Sequence, residues 1–261
     1  MIKLIASDID GTLVKDGEHH LNPEYFDVIL KLRKKGIQFA AASGRQWASI
    51  EAVFEPIKEK IFYLSDNGSY LGCHGRNLFL NPIERDTAQE LIKAIRQTPD
   101  LDILVGGPDV AYIESRNQEY INLLIHGYQF KVVQVEDISQ VADQIIKISA
   151  YKPCRIQEAT EGLMAQFGGK LKMAIAGDMW LDSMAPGVCK GHAIKTLQEN
   201  LDIKPEETMA FGDQMNDMEM FERAYYSFAV ANARDEVKKA ARFQADSNEH
   251  DGVLKVLKQL L

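Results

Sequence analysis

Ile2-Lys3-Leu4-Ile5-Ala6-Ser7 is a largely apolar run that ends in two acids, Asp8-Ile9-Asp10, and then breaks at Gly11-Thr12. A short run of this kind reads as a buried strand, and the glycine reads as the turn that closes it. Two carboxylates spaced by two therefore stand at the carboxyl end of a strand. In an open α/β sheet that end is where ligands bind. The two acids cannot be desolvated together without a cation or a proton, because each opposes ionisation of the other. The pair thus points to a metal and to chemistry.

The segments that follow alternate strand and helix. Asn22-Pro23-Glu24 supplies an N-cap, a first-turn proline and a first-turn acid for a helix running to about Lys35, and Gly36 stops it. Residues 37–42 form a second strand ending in Ser43-Gly44-Arg45, and a helix over 46–54 leads to a third strand, 61–64, ending in Ser65-Asp66-Asn67-Gly68. The tail repeats the style. It has a helix from Lys190, a strand over 208–211 ending in Gly212-Asp213, helices over about 215–223 and 234–240 flanking a strand at 226–230, and a last helix from Gly252. Strand-helix-strand order implies parallel strands with right-handed crossovers.

The middle reads differently. Asn81-Pro82 and Ala185-Pro186-Gly187 punctuate the ends of a block the size of one domain. Helices are expected over 87–96, 119–126 and 161–167. Strands are expected at 103–105, 110–113, 131–135 and 147–151, with a hairpin of 172–176 and 179–184 around Gly177-Asp178. The expected architecture is a doubly wound, mostly parallel α/β core made of residues 1–81 and 186–261. Residues 82–185 form an inserted α+β domain.

Composition narrows the function. The net charge of −8 disfavours nucleic acid and anionic membrane as partners. No apolar stretch reaches the length of a membrane span. Asp8 and Asp10 interrupt the only candidate for a signal segment. Cys73, Cys154 and Cys189 lack metal-finger or redox-pair spacing and read as free thiols of a reducing compartment. A cytoplasmic location is expected, and the oligomeric state is left open.

Four loops carry the chemistry-bearing residues: Asp8 and Asp10, Ser43, Lys190, and Asp213 with Asn216 and Asp217. Phosphoryl transfer through a covalent intermediate needs such a set: a carboxylate nucleophile, an acid for the leaving oxygen, a hard cation with oxygen ligands, and donors for the equatorial oxygens. A lysine opening a helix opposes the helix dipole unless an anion is near. Taken alone, each motif has a plainer reading. Ser43 can cap a helix, Asp213 and Asn216-Asp217 can form a turn and a cap, Arg45 can bind phosphate or a core carboxylate, and Asn67 can simply be a left-handed turn residue.

The ordered set Asp-x-Asp-Gly-Thr, Ser-Gly-Arg, Lys-Gly and Gly-Asp-x-x-Asn-Asp resembles the haloacid dehalogenase superfamily. The long insert between the second and third motifs resembles its Cof-type phosphatases. The resemblance spans the whole chain. It implies Asp8 as nucleophile and Asp10 as general acid/base. It also implies Mg2+ held by the carboxylates of Asp8 and Asp213 and the backbone carbonyl of Asp10. Ser43, Lys190 and Asn216 would hold the phosphoryl group, with Gly44 allowing close backbone approach. Thr12 and Asp217 would support the first loop, Lys190 and the metal. The implied activity is hydrolysis of a small phosphorylated metabolite such as a sugar phosphate. A phosphomutase or phosphotransferase of the same superfamily and a non-catalytic sensor on this fold are the alternatives. No motif marks substrate contacts in the insert. Asp182, Met184, Glu114, Arg116 and Arg155 stand out there, with structural roles equally open.

Overall fold

The computed structural model describes residues 1–15, 18, 20–73 and 76–261. β1 (Leu4–Asp8) is buried at every position, as a central parallel strand must be. In α1 (Glu24–Lys34), Tyr25, Val28, Ile29 and Leu32 recur at helical spacing and form its buried face. Asn22 Oδ1 accepts from the Glu24 N–H at 3.0 Å, and Gly36 ends the helix at φ +83°. β2 (Gln38–Ala42), α2 (Trp47–Val53) and β3 (Phe62–Ser65) complete the first winding. The chain then turns back into β4 (Tyr70–Cys73) and β5 (Arg76–Leu80).

Next come α3 (Arg85–Arg96), β6 (Asp102–Gly106), β7 (Ala111–Ile113), α4 (Gln118–Asn122), β8 (Val132–Gln134), β9 (Lys147–Tyr151), α5 (Ile156–Phe167), β10 (Lys172–Ala176) and β11 (Trp180–Met184). The return segment holds α6 (Lys190–Leu201), β12 (Thr208–Gly212), α7 (Met218–Phe221), β13 (Tyr226–Val230), α8 (Asp235–Ala240), β14 (Phe243–Ala245) and α9 (Gly252–Lys258).

Two units result. One comprises Met1–Phe79 and Cys189–Leu261, the other Leu80–Val188. In the first, eight strands lie in the order β14-β13-β12-β1-β2-β3-β4-β5. β1 runs parallel to both β2 and β12, and β4 runs antiparallel to its neighbour β3. The chain winds outward from β1 through β2 and β3, then returns to place β12 on the other flank. β1 and β12 therefore bracket the point where strand order reverses, and in open α/β sheets ligands bind at the carboxyl ends beside such a point. β4, β5 and β14 extend the sheet beyond the expected strands.

In the second unit six strands lie in the order β10-β11-β9-β6-β7-β8. Alternation sorts β6: Ile103 and Val105 join the cluster that packs against α3 and α5, while Leu104 joins Tyr120, Leu124 and Tyr151 on the opposite face. The helix expected over 119–126 is instead α4 followed by a π-helical turn, Leu123–Gly127. The helix expected at 161–167 is the second half of α5. Its start carries no side-chain cap, and Arg155 precedes it at φ +53°.

Candidate active site

Asp8 is the last residue of β1 and is nearly fully buried. Beyond it the chain closes a tight turn, in which the Leu13 and Val14 N–H groups donate to the Ile9 carbonyl. Gly11 sits in this turn at φ +79°, and a Cβ there would run into the Asp213 carboxylate. The position needs glycine for its backbone and for the space it leaves. Thr12 Oγ1 donates to Asp213 Oδ1 at 2.8 Å, which ties the turn after β1 to the loop after β12.

Lys190 opens α6 with its side chain 1% exposed. Its Nζ donates to Asp8 Oδ1 at 2.5 Å and to Asp217 Oδ1 at 2.7 Å. The other Asp217 oxygen accepts from the N–H groups of Asp213 and Gln214, each at 2.9 Å. Gly212 makes room, since a Cβ there would overlap the Asp217 side chain. Burial works against the Lys190 charge, yet Asp217 and Asp8 outweigh it and hold the ammonium above the ordinary lysine range. The placement of α6 also depends on Gly68, where a Cβ would strike the Cys189 carbonyl.

Asp8, Asp213 and Asp217 are all buried, with ligand oxygens within 4.8 Å of one another. One ammonium faces three carboxylates. Burial first, and then the Asp217 charge, raise Asp8 well above the usual carboxylate range, despite Lys190. The same two causes raise Asp213 to about 6, opposed by its hydrogen bonds from Thr12 and Gln214. The donor set is all hard oxygen, and one ammonium does not balance three carboxylates, which fits a hard divalent cation.

Asp10 stands apart from that acidic group. Its carboxylate accepts from Arg45 Nε at 2.8 Å and from Arg45 Nη2 at 2.5 Å. Ser43 Oγ donates to Asp10 Oδ2 at 3.5 Å and accepts from the Arg45 N–H at 3.1 Å, so Ser43 joins Asp10 and Arg45. Of the two readings open for Arg45 in the sequence, the structure gives the ion pair. Asn216 is exposed and donates to Asn67 Oδ1 at 3.0 Å, and a Cβ on Gly44 would touch that same Asn67 amide. Asn67 holds φ +56°, so it is both a left-handed turn residue and the partner of Asn216.

The carboxyl ends of β1, β2, β3 and β12 thus each contribute, but as three linked clusters: Asp8-Lys190-Asp213-Asp217-Thr12, Asp10-Ser43-Arg45, and Gly44-Asn67-Asn216. Two supporting residues escaped the sequence reading. Gln214 Nε2 donates to Asp213 Oδ2 at 3.0 Å, and Asn232 Nδ2 donates to the Gly11 carbonyl at 2.7 Å. Gln214 fills a variable position of the fourth motif, and Asn232 carries no local signal at all. Three of the polar residues that stood out in the insert are occupied locally. Asp182 accepts from Ser149 Oγ at 2.6 Å, Glu114 pairs with Arg96, and Arg155 lies 3.7 Å from Glu158.

A doubly wound sheet with buried carboxylates gathered at its switch point, and an α+β unit inserted into the chain, defines an α/β protein with an acidic site where such sheets bind ligands. A family model described as haloacid dehalogenase-like hydrolase matches residues 5–257, and the chain belongs to that family. It is 26% identical to 5-amino-6-(5-phospho-D-ribitylamino)uracil phosphatase YbjI of Escherichia coli strain K12, covering 100% of this chain and 96% of that protein. It is 25% identical to Phosphatase YwpJ of Bacillus subtilis strain 168, covering 100% of both. A solved structure from Eubacterium rectale superposes with a TM-score of 0.94 at 38% identity, covering 100% of this chain and 99% of that one. Among the described residues no helix is long and apolar enough to cross a membrane.

Proposed function

We propose that the chain is a Mg2+-dependent phosphatase that hydrolyses small phosphate monoesters through an aspartyl-phosphate on Asp8. The observation that carries this reading is the buried Asp8 carboxylate at the switch point, held by Lys190 and set beside Asp213. A carboxylate so placed, with a fixed cation and a pair of acids suited to a metal, is what attack on a phosphoryl group requires.

Asp8, Asp213 and the backbone carbonyl of Asp10 would hold Mg2+. When bound, the ion would offset repulsion between the acids and a dianionic substrate and polarise a phosphoryl oxygen. Lys190 fixes one Asp8 oxygen and leaves the other to attack phosphorus. Asp10 gives a proton to the departing ester oxygen as the phosphorus–oxygen bond breaks, and an alcohol leaves. Asp10, now a carboxylate, takes a proton from water, whose oxygen attacks the phosphorus of the aspartyl-phosphate. Inorganic phosphate is released and the Asp8 carboxylate is restored. Ser43, the Gly44 backbone and Asn216 would donate to the equatorial oxygens.

The E. coli relative is named for a phosphoribityl compound, an alkyl ester whose alkoxide leaves poorly without a proton. That chemistry suits a sugar- or polyol-phosphate substrate here. Residues 80–188 hold none of the motifs, which leaves discrimination among leaving groups as the role of that unit.

The test is inorganic phosphate release across a panel of sugar, polyol and aryl phosphates. Release with Mg2+ that stops in excess chelator is expected. Formation of an isomeric phosphate ester without free phosphate would mean a mutase, and full turnover in chelator would remove the metal.

A further inference from the structure

The turn after β1 is gripped by two asparagines from loops that carry none of the four motifs. Gly11 lies between two peptide units. In the first, the Gly11 N–H donates to the Val14 carbonyl at 2.8 Å. In the second, the Gly11 carbonyl accepts from Asn232 Nδ2 at 2.7 Å. Asn232 Oδ1 in turn accepts from the Asn248 N–H at 3.0 Å, and Asn248 Nδ2 donates to the same Val14 carbonyl at 3.2 Å. Gly11, Asn232, Asn248 and Val14 thus close a ring of hydrogen bonds. The topology permits it. β14 runs parallel to β13, β13 to β12 and β12 to β1, so the loops bearing Asn232 and Asn248 emerge at the same end of the sheet as the first loop. The Asn232 loop also reaches the acidic cluster, where the Arg234 N–H donates to the Asp213 carbonyl at 3.2 Å.

The ring has a directional consequence. A trans peptide points its C=O and N–H opposite ways. The Gly11 N–H on Val14 therefore turns the Asp10 carbonyl away from Val14. Glycine gives its flanking peptides more freedom than any other residue, and Gly11 sits at φ +79°. Without the ring the Asp10 carbonyl would share that freedom. Asn232 is exposed, where water replaces a lost partner, so its two bonds fix direction more than they add stability.

We infer that Asn232 is a positioning residue for the Asp10 backbone carbonyl, required for Mg2+ affinity. This rests on the Mg2+ reading above. Asn232 acts through the Gly11 peptide, and Asn248 supports it by holding both its Oδ1 and the Val14 carbonyl. Partners that orient a metal ligand govern affinity for the metal even though they never touch it.

The experiment uses the full chain as wild type, Asn232→Ala, Asn248→Ala, the double variant and Asn22→Ala. The last is a matched control in the same unit, since Asn22 Nδ2 donates to Asp251 Oδ2 at 3.0 Å. Calorimetric titration with Mg2+ alone, without substrate, gives metal affinity. Melting temperature in chelator gives folding. The Mg2+ concentration for half-maximal turnover of p-nitrophenyl phosphate gives the activation constant.

Asn232→Ala should bind Mg2+ about 10-fold more weakly, at the low end for a ligand-orienting partner. Its activation constant should rise by the same factor, while kcat at saturating Mg2+ stays within a few-fold of wild type. Asn248→Ala should show a smaller loss of the same kind. The double variant should fall short of the product of the two single losses, because both act on one ring. Asn22→Ala should keep the wild-type affinity.

Mg2+ affinity within two-fold of wild type in a folded Asn232→Ala protein would overturn the assignment, as would an equal loss in Asn22→Ala. If Asn232→Ala does not fold, Asn248→Ala decides, and an unchanged affinity there overturns it. Wild type separates the two levels. If it binds Mg2+ and Asn232→Ala binds it equally well, only the Asn232 role fails. If wild type binds none, the metal reading and the Asn232 role fall together.

Discussion

Gly11 answers two demands at once, a backbone at φ +79° and the space taken by the Asp213 carboxylate. Gly36 answers only the first, at φ +83° with nothing near its missing Cβ. The two glycines therefore separate strain from site geometry. A left-handed backbone costs a non-glycine residue roughly 1–2 kcal/mol, so Gly11→Ala and Gly36→Ala should each lower the melting temperature by a few degrees. Only Gly11→Ala should also cut kcat by more than about 100-fold, because it displaces a proposed metal ligand. Wild-type kcat in a folded Gly11→Ala protein would contradict the placement of Asp213. At this scale the carboxylates were legible, since acids at successive strand ends announce themselves. The Asp10–Arg45 pair was legible only as an alternative. Sequence gives the residue types, whereas the partner is chosen by three loops meeting.

At the scale of elements, legibility followed burial. β1, β2, β9 and α6 read clearly because each is an apolar run or a periodic face with a stop signal beside it. β4 and β5 did not, because the chain reverses from β3 through Asp66–Gly68, a turn whose composition also suits a functional loop. β14 is three residues long, too short for any period to show. The first half of α5 went unread for lack of a capping side chain, and α4 ran into a π-helical turn that helical spacing alone does not reveal. The grouping of Asp8 with Asp213 was implied by the family resemblance of the ordered motifs. Their adjacency depends on β12 pairing directly with β1, a choice made by the sheet as a whole.

For the whole molecule, the cluster at the switch point is a stability problem that a cation relieves. The folded-state values of Asp8 and Asp213 are raised, Asp213 to about 6 from an ordinary 3.8. Between about pH 4 and 6 the folded protein therefore binds more protons than the unfolded chain, and metal-free stability falls as pH rises through that window. Mg2+ needs the deprotonated acids, so the melting-temperature increase it gives should be small near pH 4.5 and larger at pH 7.5. An increase independent of pH would place the metal elsewhere. The central claim is a phosphoryl group carried on Asp8. The direct measurement is acid quench during turnover, borohydride reduction of the acyl-phosphate, and peptide mass spectrometry. Homoserine at position 8, absent without substrate and absent in Asp8→Asn, is the predicted result. Rapid phosphate release by the wild type with position 8 unmodified, or full turnover by Asp8→Asn, would contradict it.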